Sequence, residues 1–138
     1  MKKLQYAYTI IAVLICTITL VACDGANSMS ATRFVGRSES ADSGGYTLAL
    51  RSAASGHRNR TFTLSAEELA QIRVESTSES GELTLVISQN GNLDGSEIRL
   101  DISNFSGYVD ASQLSPGRIR FAFHFDDVRN TDTKITWR

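Results

Sequence analysis

Residues 118–125 spell RIRFAFHF, and this octet decides the fold. Ile119, Phe121, Phe123 and Phe125 alternate with Arg118, Arg120, Ala122 and His124. Successive side chains on a strand point to opposite sides of a sheet, so the octet is a strand with one apolar face and one wet face. The same period of two recurs on either side of it. Tyr46, Leu48 and Leu50 show it, as do Phe62 with Leu64, Ile72 with Val74, and Leu83, Leu85 and Ile87. Ile98, Leu100 and Ile102 repeat it, and Ile135 with Trp137 close the chain. Strands wetted on one face belong to antiparallel sheets packed on the other. Ser80-Gly81, Asn90-Gly91, Asp94-Gly95, Ser106-Gly107 and Pro116-Gly117 supply turn chemistry. The expectation is an all-β fold, an antiparallel β-sandwich of jelly-roll or immunoglobulin-like type, over residues 33–138.

Two segments break the pattern. Residues 36–45, GRSESADSGG, suit a loop or an extended linker. In TLSAEELAQI, residues 63–72, Ser65 followed by Glu68 is a capping box, and one short helical turn is expected there.

The amino-terminal segment has a different character. MKKLQYAYTIIAVLICTITLVAC opens with Lys2 and Lys3, then carries no charge from Leu4 to Ala22. A basic start, an apolar middle and a small-residue exit make a secretory signal peptide, which as a helix would precede the domain. The apolar run is also long enough for a retained membrane helix, since roughly 17–25 residues span a bilayer. Residues 20–23, Leu-Val-Ala-Cys, resemble the lipobox of bacterial lipoproteins. That resemblance implies cleavage after Ala22 and a diacylglyceryl group on the Cys23 sulfur, with palmitate-type acylation of the new amine. Two or three chains hold a protein stably where one does so marginally. The expected organisation is a signal peptide over residues 1–22, a lipidated Cys23 with a flexible tether to residue 32, and the sandwich beyond. The expected location is extracytoplasmic, anchored to a cell membrane. An aspartate after the cysteine, here Asp24, holds some Gram-negative lipoproteins at the inner membrane, so inner and outer membrane both stay open.

Two further stretches, residues 62–87 (FTLSAEELAQIRVESTSESGELTLVI) and residues 114–123 (LSPGRIRFAF), resemble pieces of bacterial extracytoplasmic sandwich modules such as pre-peptidase C-terminal-type jelly-rolls. The resemblance implies a fold, not an activity.

Composition narrows the chemistry. Beyond residue 22 lie 12 of the 14 basic residues and all 15 acidic ones, a formal balance of −3. No basic excess invites nucleic acid. No cysteine follows Cys23, so the domain has neither a disulfide nor a thiol nucleophile. No serine sits in a nucleophile-elbow sequence, and His57 and His124 lack zinc spacing. A non-catalytic binding or structural module at the cell envelope is the expected function, with an envelope protein or glycan as partner. A small-ligand, glycan or calcium-dependent binding domain is the alternative.

Three places could carry binding. Arg118, Arg120 and His124 share one strand face and could grip a carboxylate, phosphate or sugar acid, although a solvated face paired with Asp110, Asp126 or Asp127 is the favoured reading. Asn90, Asn92, Asp94 and Asp101 fit much of a calcium-loop spacing, with Gly95 at its sharp turn. Asn at its first position, Asp at its twelfth and flanking strands favour a plain hairpin loop over calcium. GHRNR, residues 56–60, gathers His57, Arg58 and Arg60 in what looks like a loop. Trp137, two residues from Ile135, is expected in the core. No cofactor is expected beyond the covalent lipid.

Overall fold

The computed structural model describes residues 29–31, 34–89 and 96–138. In chain order the elements are β1 (Met29–Ala31), β2 (Phe34–Asp42), β3 (Gly45–Leu64), α1 (Ala66–Leu69), β4 (Arg73–Thr77), β5 (Ser80–Gln89), β6 (Glu97–Asp101), β7 (Asn104–Tyr108) and β8 (Gly117–Thr136). Every neighbouring pair of strands is antiparallel.

Two 20-residue strands form the spine. β3 and β8 pair in one register from Gly45 opposite Thr136 to Leu64 opposite Gly117. β2 and then β1 line the far edge of β3, while β4 and then β5 line the far edge of β8. β7 and β6 complete the sheet outside β4 and β5.

This one sheet makes both layers of the sandwich by doubling over. Tyr46 and Phe62 lie on the same strand, yet their ring centroids are 5.8 Å apart. Phe121, near the start of β8, and Trp137, just past its end, stack at 5.8 Å. Sixteen residues of straight strand would hold each pair about 50 Å apart. The two halves of each long strand therefore face one another across the core.

The corner falls at the same level in three adjacent strands, and each turns it with residues suited to the task. β3 crosses it at Ser52-Ala53-Ala54-Ser55-Gly56, where small side chains let backbones approach. β8 crosses it with Asp127 at φ 46° and Asn130 at φ 45°. Asp and Asn are among the few non-glycine residues that adopt this left-handed geometry readily. Gly81 of β5, at φ 82°, opposes the β8 residues, and the pairing slips by one between Ser80–Arg129 and Glu82–Asp126. Two residues of β8 thus face one of β5, a β-bulge that bends the strand.

Doubling also explains a short connection. β3 ends at the open end of one layer and β4 starts at the open end of the other. Residues 65–72 bridge them because the two ends are neighbours. Ser65 caps α1 as expected: its Oγ accepts from the Glu68 amide at 3.2 Å, and the Glu68 carboxylate accepts from the Ser65 amide at 2.8 Å. Leu69 and Ile72 then plug the core. Ser65→Ala should cost about 1 kcal/mol in a urea titration, and Ser65→Asp should recover most of it.

The core is one cluster drawn from both layers, with Tyr46, Leu48, Leu85, Ile87, Ile119, Phe121, Phe123, Ile135 and Trp137 among its members. Burying each such large side chain contributes roughly 1.5–3 kcal/mol. Trp137 is buried as expected, and its indole donates to the Ser43 carbonyl at 3.1 Å. Where β8 meets β4 the interior is lined with hydroxyls that satisfy each other, Ser76 with Thr133 at 2.7 Å and Ser78 with Thr131 at 3.1 Å.

Several sequence expectations are corrected. Residues 36–45 are not a loop: β2 occupies most of them and forms a hairpin with β3. Its serines sit on the outer side of an edge strand, held by main-chain pairing. Residues 56–60 are mid-strand in β3, and Ser106-Gly107 lies inside β7. The sheet also takes in Met29–Ala31, which the sequence assigns to the tether.

Candidate functional site

The outer face of the layer built from β3, β8, β5 and β6 gathers the expected basic residues. Arg118, Arg120 and His124 all project from it and are exposed. Cross-strand register adds neighbours that the single strand did not reveal. One row runs His57, His124, Thr84 and Asp101. The next runs Asn59, Ala122, Val86 and Arg99, and the next Thr61, Arg120, Ser88 and Glu97. Thr63 opposite Arg118 ends the face.

Long side chains stand around a small apolar floor. Val86 and Ala122 are buried although they point outward. Ser88 Oγ is buried without a hydrogen-bond partner among the described residues. His57 and His124 face each other with ring centroids at 6.2 Å. Burial, followed by the nearby charges of Arg99, His57 and Arg120, pushes the His124 pKa below the ordinary imidazole value. At neutral pH His124 is therefore a neutral hydrogen-bonding group, and the arginines carry the positive charge. The expected carboxylate partners of Arg118 and Arg120 do not form ion pairs with them. Asp110 instead accepts from the Ser112 amide at 3.0 Å. Arg99 holds Glu97 at 3.5 Å, an exposed contact of little energy.

A second cluster went unread in the sequence. Arg58 and Arg60, assigned to a loop, turn inward from β3 and converge on Glu39 of β2. Arg58 Nη2 lies 2.8 Å and Nε 3.2 Å from the two Glu39 carboxylate oxygens, a bidentate grip. Arg60 bonds the same carboxylate, and Arg37 stands 3.9 Å from it. The Glu39 side chain is 7% exposed and that of Arg58 8%. Burial alone would raise the Glu39 pKa, but hydrogen bonds from Arg58 and Arg60 and the charge of Arg58 outweigh it and hold the carboxyl below its usual value. The Tyr46 hydroxyl lies beside this carboxylate without hydrogen-bond geometry, and its pKa is pushed up to about 12 by burial and then by the Glu39 charge.

Doubling the sheet creates this cluster, because Glu39 belongs to one layer and the two arginines to the other. It pins the layers together at their β1–β2 margin. Inward-pointing charge on an edge strand also discourages pairing with a foreign strand. The signal was present: GHRNR alternates Arg58 and Arg60 in phase with Phe62 and Leu64, which is strand periodicity with charged residues on the core side.

The calcium reading rests mainly on residues that are not described. Asn90, Asn92 and Asp94 lie outside the described residues, as do Ala22 and Cys23. Asp101 is described, and its carboxylate accepts from the Ser103 amide at 3.0 Å and the Ser103 hydroxyl at 2.8 Å, closing the turn between β6 and β7. Among the described residues no three His, Cys, Asp or Glu side chains are grouped to hold a metal, and no helix is long and apolar enough to cross a membrane. Tyr108 stays 70% exposed on β7, with the Arg73 guanidinium 5.6 Å from its ring centroid.

Shallow hollows lie on the opposite outer face and beside α1. One of about 530 Å³ is lined by Asp42, Ser43, Thr47, Lys134 and Arg138 among others. Its open, mixed-charge lining brings no convergent set of polar groups onto one point. No protein-family model matches the chain, and no curated protein matches it.

Proposed function

We propose that the chain is an exported lipoprotein whose sandwich domain acts by binding, not catalysis, at the cell envelope. The observation that carries this reading is residues 20–23, Leu-Val-Ala-Cys, closing an uncharged run that begins after Lys2 and Lys3. The cysteine becomes the lipidated first residue of the mature chain, and a few small polar residues join it to the sheet. The domain supports the reading by needing no cysteine of its own. Its layers are held by an apolar core and by the Glu39 cluster, which leaves Cys23 free to serve as an anchor. The outer faces are broad and shallow, a shape suited to extended surfaces and polymers more than to enclosed substrates.

Feeding cells an alkyne-tagged fatty acid tests the reading. The wild-type protein should take up the tag and sediment with membranes. Cys23→Ala should lose the tag and keep its full-length mass. An untagged wild-type protein in the soluble fraction would contradict the proposal.

A further inference from the structure

The outer face carrying Arg99, Arg118 and Arg120 has a polarity along the strands. The acidic residues Glu82, Asp126 and Asp101 lie in the rows nearest the corner, and the three arginines in the rows farthest from it. Glu97 is the exception, and it faces Arg99. Arg118 and Arg120 form no ion pair with a carboxylate among the described residues, so their charge is available to a partner. On the opposite outer face Arg73 is held by Glu75 at 2.8 Å and Glu75 sits opposite Lys134 in register, while Arg51 stands exposed without an ion pair among the described residues.

The chain enters the sheet midway along this layer, at Met29 level with Arg58 and Phe123, and comes to it from the arginine end. β1 is antiparallel to β3 and begins at Met29 opposite Arg58. It therefore points back, toward its start, to the Leu64 end of β3, which pairs with the Gly117 end of β8 beside Arg118. Six residue steps separate Cys23 from Met29, a reach of at most about 20 Å. β8 lies two strands from β1, about 10 Å across the sheet. A lipid on Cys23 thus holds the arginine end of this face within reach of the bilayer surface.

We infer that this face, through Arg99, Arg118 and Arg120, rests on the anionic phospholipid headgroups of the membrane that holds the anchor, and so fixes which side of the domain faces outward. The inference builds on the lipoprotein reading. Guanidinium groups donate in pairs to phosphate oxygens, and an anionic bilayer supplies phosphates across the whole face. Each unpaired arginine near such a surface is worth about a fivefold gain in occupancy, so Arg118 and Arg120 together give about twenty-five-fold, the charge of Arg99 being offset by Glu97.

The lipidated full chain, placed in vesicles, tests this. The mature lipidated protein has no free thiol, because Cys16 leaves with the signal peptide and the Cys23 sulfur is a thioether. A cysteine introduced by Thr63→Cys reports on the arginine face, and one introduced by Thr77→Cys reports on the opposite face. An impermeant maleimide should label the Thr63 position about twenty-five-fold more slowly in vesicles containing phosphatidylglycerol than in phosphatidylcholine alone. The Thr77 position should label equally in both. High salt, or Arg99→Gln with Arg118→Gln and Arg120→Gln, should abolish the difference. Equal labelling at Thr63 in both vesicles, with the protein still floating with them, would overturn the orientation and leave the anchor standing. Slowing at both positions would also overturn it. Protection at Thr63 in phosphatidylcholine vesicles on adding soluble polyphosphate would reassign the face to a free anionic polymer. A chain that floats with neither vesicle would overturn anchor and orientation together.

Discussion

Gly81→Ala is expected to destabilise the domain by about 3 kcal/mol or more, lowering the melting temperature by roughly 12 °C or more. Two effects add. Gly81 has φ 82°, where an L side chain costs about 1–2 kcal/mol. A Cβ there would also lie 2.4 Å from the Asp127 carbonyl oxygen and 2.5 Å from that of Asp126. Both contacts are backbone, so neither can swing aside. The bulge would have to open, and with it the corner on which both layers depend. Gly107→Ala is the control. It lies in β7, and its new Cβ would meet only the Phe105 ring at 3.4 Å, so the change should be near neutral or gain a few tenths of a kcal/mol. Urea titrations of both variants check the contrast.

Glu39→Ala is the second large loss. Removing one side of a buried ion pair strands the other charge, and about 3 kcal/mol is expected for Arg58. The double variant Glu39→Met with Arg58→Met should recover most of that, because paired apolar groups of similar volume carry no desolvation cost. The pair also sets an acid limit. The folded-state pKa of Glu39 is held below its ordinary value of 4.5, so its stabilisation is fully present above that value. It is lost progressively as pH falls from there through the lowered folded-state pKa. Unfolding free energy measured from pH 6 downward should therefore drop more steeply in the wild type than in the double variant.

The strands of this domain are legible in its sequence because burial on one face imposes period two. RIRFAFHF and the runs around Leu48, Leu85 and Leu100 all appear where that period places them. The corners are not legible, for a physical reason. A strand that bends sharply needs small residues, a left-handed residue or a bulge, and these are the residues that end strands elsewhere. Ser52 to Gly56, Ser80-Gly81 and Asp126-Asp127 therefore look like breaks, whereas the chain runs through them as continuous sheet. The edge strands β2 and β7 were hidden by a related effect. An edge strand is held largely by its main chain, so serines and glycine serve there and leave no apolar stripe.

The same blind spot concealed half of the site. Arg118, Arg120 and His124 are adjacent on one strand and were visible together. Arg99 joins them only through the pairing of β6 with β5, and His57 only through the pairing of β3 with β8. Glu39 meets Arg58 only because the sheet doubles over. Contacts made across a fold leave no spacing in the chain for a reader to find.

The doubled sheet is the claim from which the rest follows, including the Glu39 cluster and the separation of the two outer faces. Nuclear Overhauser effects between aromatic protons measure it most directly. The account predicts clear cross-peaks between the Tyr46 and Phe62 rings and between the Phe121 and Trp137 rings, each pair with centroids 5.8 Å apart. Their absence, with normal cross-peaks between the paired strand neighbours Tyr46 and Ile135, would mean that the long strands run straight and would contradict it.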